Sequence, residues 1–148
     1  MTTRSPISIL LADDDADDRL MASEALEESR LANELITVGD GEELMEYLQR
    51  KGRFEGRVSE QPGLILLDLN MPRMDGREAL ELIKNDPELR RIPVVVLTTS
   101  KAESDILQTY DLGVNSFITK PVTFDGLVEI MSDLGRYWLE IVELPAAV

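Results

Sequence analysis

The chain has 148 residues, 43% of them apolar and 30% charged, with a net charge of −14, a size and balance that suit one globular domain with its own core. It contains no cysteine and no histidine, which excludes disulfides, thiolate metal sites, cysteine nucleophiles, imidazole bases and a phosphohistidine of its own. The acidity argues against a nucleic-acid surface. With no apolar leader in Met1 to Pro6 and no run of membrane-spanning length, the expectation is a soluble cytoplasmic protein.

In chain order, Ile7-Ser8-Ile9-Leu10-Leu11-Ala12 is an apolar, β-rich run that empties into Asp13-Asp14-Asp15. Leu20, Met21, Ala25 and Leu26 then recur at helical spacing, with Asp15 or Asp17 available as the cap. Glu34 to Val38 forms a second strand, and Gly39-Asp40-Gly41 turns into a helix whose Leu44, Tyr47 and Leu48 share a face. Arg50 to Gly63 reads as a long surface loop. Leu64-Ile65-Leu66-Leu67 is a strand apolar on both faces, and it stops at Asp68, four residues before Pro72. Asp75-Gly76 opens a helix with Ala79, Leu80 and Ile83 inward, closed or kinked at Asp86-Pro87. Ile92 to Leu97 is a fourth strand ending in Thr98-Thr99-Ser100, and a helix with Ile106, Leu107 and Tyr110 stops at Gly113. Ser116 to Thr119 is a short fifth strand before Lys120-Pro121, and the last helix is expected from about Thr123 to Glu143.

Strand and helix alternate five times, so the expected fold is a doubly wound parallel sheet, order 2-1-3-4-5, with right-handed crossovers and helices on both faces. That order gathers the polar strand ends on one rim: Asp13 and Asp14, Asp68 and Asn70, Thr98, and Lys120. Like charges 4 Å apart repel by ~4 kcal/mol at an effective dielectric of 20, so clustered carboxylates stay ionised only around a cation. An all-oxygen donor set without His or Cys selects a hard ion, Mg²⁺ first. The chemistry that fits is phosphoryl transfer to a carboxylate, with Asp68 as nucleophile and Lys120 and Thr98 meeting the phosphoryl oxygens.

The set Asp13-Asp14, Leu67-Asp68-Leu69-Asn70-Met71-Pro72-Arg73-Met74-Asp75-Gly76, Thr98-Thr99-Ser100 and Lys120-Pro121 resembles the receiver domain of two-component response regulators, over roughly Ile7 to Met131. The resemblance implies that Asp68 is the phosphoacceptor. Asp14 is implied as a direct Mg²⁺ ligand, Asp13 as a second acid acting through water, and Asn70 as the donor of a backbone carbonyl to the metal. Thr98 and Phe117 stand where receivers carry the switch hydroxyl and switch aromatic. Asn70, Thr99 and Ser100 stand where such domains tune phosphoryl lifetime, and Thr99 is bulkier than the Ala many of them carry.

The expected product is a stand-alone receiver over residues 1–148, with a core of about 7–131 and an extended C-terminal helix and tail. It would be a signalling phosphoacceptor, not an enzyme acting on other substrates. The loop Arg50 to Gly63, the run Ile92 to Ser100 and the Trp138 to Pro145 end resemble the small receivers paired with bacterial phytochrome kinases, which implies a sensor histidine kinase, a phytochrome among the candidates, as phosphodonor. Ile130, Tyr137 and Ile141 leave more apolar surface on the last helix than one sheet face needs, hence an expected homodimer through this helix and the fifth strand. A haloacid dehalogenase-type phosphatase is the alternative, although it needs an acid where Asn70 stands. Asp13, Asp15, Asp17 and Glu24 match the spacing of a calcium loop, but Asp18 replaces its essential glycine.

Overall fold

The structure is a computed structural model that describes residues 8–29, 33–99, 106, 108, 110–121 and 123–136. Its elements are β1 (Ile9–Ala12), α1 (Ala16–Glu28), β2 (Leu35–Val38), α2 (Gly41–Gln49), β3 (Leu64–Leu67), α3 (Gly76–Asn85), β4 (Val94–Thr98), β5 (Ser116–Thr119) and α4 (Phe124–Leu134). Ile106, Gln108, Tyr110 and Asp111, between β4 and β5, are also helical. All strands pair in parallel in the order β2-β1-β3-β4-β5.

The apolar runs alternate between two cores because successive strand side chains point to opposite faces. Leu10, Ala12, Ile65, Leu67, Val94 and Val96 pack with α2 and α3. Ile9, Leu11, Leu64, Leu66, Val95 and Leu97 pack with α1 and α4. The three central strands are buried throughout, which explains why their sequences carry no polar alternation. α1, α2, α3 and α4 each begin on a capping side chain: Asp15, Asp40, Asp75 and Thr123 accept backbone N–H groups of the first turn.

Several boundaries and faces differ from the sequence-based expectation. β4 starts at Val94 instead of Ile92; Pro93 has no N–H to give a ladder, but its carbonyl accepts from Ile65 at 3.0 Å. The inward face of α1 is Ala22, Ala25 and Leu26, and Leu20 is 60% exposed. Two alanines on that face let α1 lie close to the sheet, and Leu20 then falls on the outer side. Phe124 likewise sits at the rim of the α4 stripe, which is carried by Leu127, Met131 and Leu134. The expected continuation of α4 to Glu143, with Tyr137, Trp138 and Ile141, lies outside the described residues, as does Leu107.

The 50–63 loop is a built element more than a free one. The Arg57 guanidinium stacks 3.9 Å from the centre of the Tyr47 ring and donates to the carbonyls of Tyr47, Ser59 and Glu60. Gln61 donates to the Leu48 carbonyl at 2.6 Å, tying the loop's far end to α2.

Two glycines fix how closely the strand-end loops approach. A Cβ at Gly41 would lie 2.7 Å from Met74 Cβ, and one at Gly76 would lie 2.7 Å from Leu69 Cα and closer still to the Asp68 carbonyl oxygen. Both contacts are with poorly yielding groups. Gly76→Ala should therefore destabilise the domain by about 1–3 kcal/mol, read as a lower urea midpoint with an unchanged slope.

Candidate functional site

The site grows from the carboxyl ends of β1, β3, β4 and β5. Asp13 N–H still donates to the Val38 carbonyl at 3.1 Å, so its backbone is locked to the sheet, and Arg19 Nη1 grips its carbonyl at 2.7 Å. Its carboxylate accepts the Asp15 N–H at 3.0 Å, bending the chain toward the α1 cap and leaving Asp14 exposed at the bend. Asp68 is held the same way, its N–H donating to the Ala12 carbonyl at 3.0 Å. Adjacent β1 and β3, in register from Ile9–Leu64 to Ala12–Leu67, thus put Asp13 and Asp68 side by side. Lys120 follows from the Thr98–Thr119 register and its own N–H bond to the Thr98 carbonyl at 2.7 Å.

Lys120 Nζ lies 2.7 Å from Asp13 Oδ2, 3.0 Å from Asp18 Oδ2 and 3.3 Å from Asp68 Oδ2. Thr98, fully buried, donates its hydroxyl to Asp68 Oδ1 at 2.8 Å, and the Asn70 N–H approaches the same oxygen at 3.3 Å. Burial works against the Lys120 charge, but its three acidic partners outweigh it and raise the lysine far above its ordinary range. Asp13 behaves oppositely: burial raises its pKa and outweighs the lowering by Lys120 and the Asp15 N–H, while Asp68 adds repulsion. The lysine is thus firmly cationic, yet the buried acid beside it is under-compensated.

One oxygen from each of Asp13, Asp14 and Asp68 lies within 4.8 Å of the others. Three hard oxygen donors, one on an under-compensated buried carboxylate, fit a divalent cation.

The sequence pattern of the response regulator receiver domain matches residues 9–132. The chain belongs to that family. It is 46% identical over 142 residues to the response regulator Rcp1 of a Synechocystis species, covering 96% of this chain and 95% of that protein. Among solved structures it resembles the phosphorylated cyanobacterial phytochrome response regulator RcpA, with TM-score 0.89 and 45% identity over 96% of this chain and all of the other. It also resembles the Mn²⁺-bound form of Rcp1, with TM-score 0.86 and 45% identity over 95% of this chain and all of that one. These findings give the phosphatase alternative no support.

Within this receiver, the residues singled out from sequence fall into two groups. Asp13, Asp14, Asp68, Thr98 and Lys120 come together, and Asn70 sits beside Asp68 with its side chain outward. Phe117 stands apart, half-buried on β5 against the α2/α3 core. Its N–H donates to the Tyr110 hydroxyl at 3.3 Å. Thr99 is exposed, and Ser100 lies outside the described residues. The switch expectation started from a hydroxyl drawn inward on phosphorylation; in this structure the Thr98 hydroxyl already donates to Asp68 Oδ1.

Two parts of the rim went unrecognised in the sequence. Asp18, noted there only as the residue that breaks a calcium-loop spacing, is a direct partner of Lys120. Arg73, quoted only inside a motif, adopts left-handed backbone at φ 64 and places Nε 2.9 Å from Asp40 Oδ2. The other Asp40 oxygen accepts Glu43 N–H at 2.7 Å, so one buried acid caps α2 and clamps the loop after Asp68. The run Asp13 to Asp18 hinted at the first; nothing in the sequence linked residues 40 and 73.

Burial opposes the Asp40 charge, but its bonds from the Glu43 N–H and Arg73 prevail and hold its pKa below the ordinary carboxylate value. A depressed folded-state pKa contributes stability that is present above the unfolded value and lost as pH falls through the folded one. Asp40→Asn keeps a capping oxygen but loses the charge. It should cost about 1 kcal/mol at neutral pH, and urea unfolding at stepped pH should show wild type and variant converging as the acid limb is descended.

Proposed function

We propose that this receiver is a phosphorylation switch in which Asp68 takes a phosphoryl group from a phosphohistidine on a sensor kinase. The observation that carries the reading is the pair of contacts on one buried carboxylate: Lys120 on Oδ2 and Thr98 on Oδ1, beside Asp13 and Asp14. An oxygen lone pair of Asp68 attacks phosphorus as the P–N bond breaks. The bonding pair stays on the donor's imidazole nitrogen, which then takes up a proton. The nucleophile is already an anion, so no general base is required, and the chain has no histidine to serve as one. Asp13, Asp14, Asp68 and the Asn70 backbone carbonyl would hold Mg²⁺, whose charge, when bound, offsets that shared by Asp68 and the phosphoryl group. Lys120 supplies a positive charge to the phosphoryl oxygens, and the Thr98 hydroxyl turns from Asp68 Oδ1 to donate to one of them.

The output is a population shift in which Thr98 and Phe117 move as a pair between β4 and β5, with a coupling of about 1–3 kcal/mol. Asn70, Thr99 and Ser100 flank the approach to Asp68 and tune how long the phosphoryl group lasts. The receiver occupies the chain as one domain, acts in the cytoplasm and catalyses only its own phosphorylation and dephosphorylation. Among the described residues no helix is long and apolar enough to cross a membrane. The likeness to phytochrome response regulators across nearly the whole chain supports a phytochrome-type kinase as the phosphodonor.

A homodimer through β5 and the last helices belongs to the same reading. Among the described residues β5 is an edge strand with no strand neighbour on one side of its backbone, and Ile118, Phe124 and Ile130 keep part of their apolar surface exposed nearby.

Asp68→Asn should abolish labelling by an autophosphorylated kinase or by acetyl phosphate while leaving the circular dichroism spectrum and thermal midpoint close to wild type; persistent label would move the acceptor elsewhere. Sedimentation at micromolar concentration, with and without beryllofluoride, should show a dimer, and a monomer under both conditions would remove that part of the proposal.

A further inference from the structure

Lys120 has three carboxylate partners, and only two of them belong to the group that converges on a cation. Asp13 and Asp68 are in that group with Asp14; Asp18, 3.0 Å from Lys120 Nζ, is outside it. Asp18 stands on the first turn of α1, where its N–H lies 3.3 Å from the capping Asp15 carboxylate. The Lys120 side chain is 12% exposed, against 33% for Asp18.

A divalent cation and an ammonium compete for the same carboxylate oxygens. A cation entering between Asp13 and Asp68 weakens or breaks two of the three Lys120 bonds. With no other anion in reach, that would leave a mostly buried ammonium facing a second positive charge, a costly arrangement. Asp18 is the partner that a cation held by Asp13, Asp14 and Asp68 leaves untouched. It is also anchored on a different element, so it can keep the ammonium near Asp68 while the strand-end acids are engaged.

We propose that Asp18 is a positioning residue that retains Lys120 when a divalent cation takes up Asp13 and Asp68, so that the site loads metal without stranding the lysine. The inference rests on the reading of Asp13, Asp14 and Asp68 as a metal site. In this arrangement Lys120 pivots between Asp18 and the oxygens over Asp68 and does not depart for solvent. Asp17 is the natural control, being adjacent on the same helix turn, equally charged and more exposed than Asp18.

The test is calorimetric titration of Mg²⁺ into wild type, Asp14→Asn, Asp17→Asn and Asp18→Asn, with the last two repeated in a Lys120→Met background. Asp18→Asn should weaken Mg²⁺ about three- to five-fold more than Asp17→Asn does, the scale of one partly exposed ion pair. That excess should vanish in the Lys120→Met background. Equal effects of Asp17→Asn and Asp18→Asn would overturn the inference, and so would an excess that survives without the lysine, since Asp18 would then act on the cation directly. If Asp14→Asn leaves the affinity unchanged, the metal-site reading itself fails and this inference with it. If Asp14→Asn abolishes binding while Asp18→Asn merely matches Asp17→Asn, only the present inference is lost.

A second measurement does not depend on the Lys120→Met protein folding. At low temperature, the Lys120 side-chain ammonium resonance should stay protected from solvent exchange in Mg²⁺-saturated wild type and broaden in Mg²⁺-saturated Asp18→Asn. A resonance that broadens in wild type on adding Mg²⁺ would overturn the inference.

Discussion

The constraint on which this receiver depends is like-charge crowding at the tips of buried parallel strands. Asp13 and Asp68 lie side by side because β1 and β3 are neighbours in register, and neither can move away without breaking a backbone bond to the sheet. In so little water two carboxylates repel strongly. Lys120 answers that repulsion directly, reaching Asp13, Asp18 and Asp68 from the loop after β5. One ammonium therefore ties together three strand ends and the start of α1. Its charge is one against three, however, and the raised pKa of Asp13 marks where further positive charge would be most welcome.

The precision of that rim comes from the loops around it. Gly76 lets α3 begin against the backbone of Asp68 and Leu69, and Gly41 lets α2 begin against Met74. Asp40 then clamps Arg73, holding a non-glycine residue in left-handed backbone, a conformation that persists only where surrounding contacts fix it. The loop carrying Asn70 is thus pinned at both ends and braced from the side. Such bracing suits the role proposed for the Asn70 backbone carbonyl.

Thr98 and Phe117 connect this rim to the far edge of the sheet. Val96 pairs with Phe117 and Thr98 with Thr119, so a hydroxyl that changes partner at the tip of β4 has β5 as its immediate neighbour. β5 is also the least buried of the five described strands and lies at an edge, where displacement disturbs the fewest packed atoms.

The apolar runs at β1, β3 and β4, the acids and hydroxyls at their ends and the five-fold alternation with helices were legible from sequence, because burial on both faces and strand-end polarity are local patterns. So were the acid that caps α1 and the clustering of Asp13, Asp68, Thr98 and Lys120, which follows once the strand order is assumed. The outward turn of Leu20, the start of β4 after Pro93 and the packing of the 50–63 loop under Arg57 were not, since each depends on what the neighbouring element presents. Asp18 on Lys120 and Arg73 on Asp40 join residues 102 and 33 positions apart. By itself the sequence determined which chemical groups stand at the sheet's rim; the tertiary structure alone decided which charge faces which, because a carboxylate's partner is set by distance in space, and distance along the chain carries no record of it.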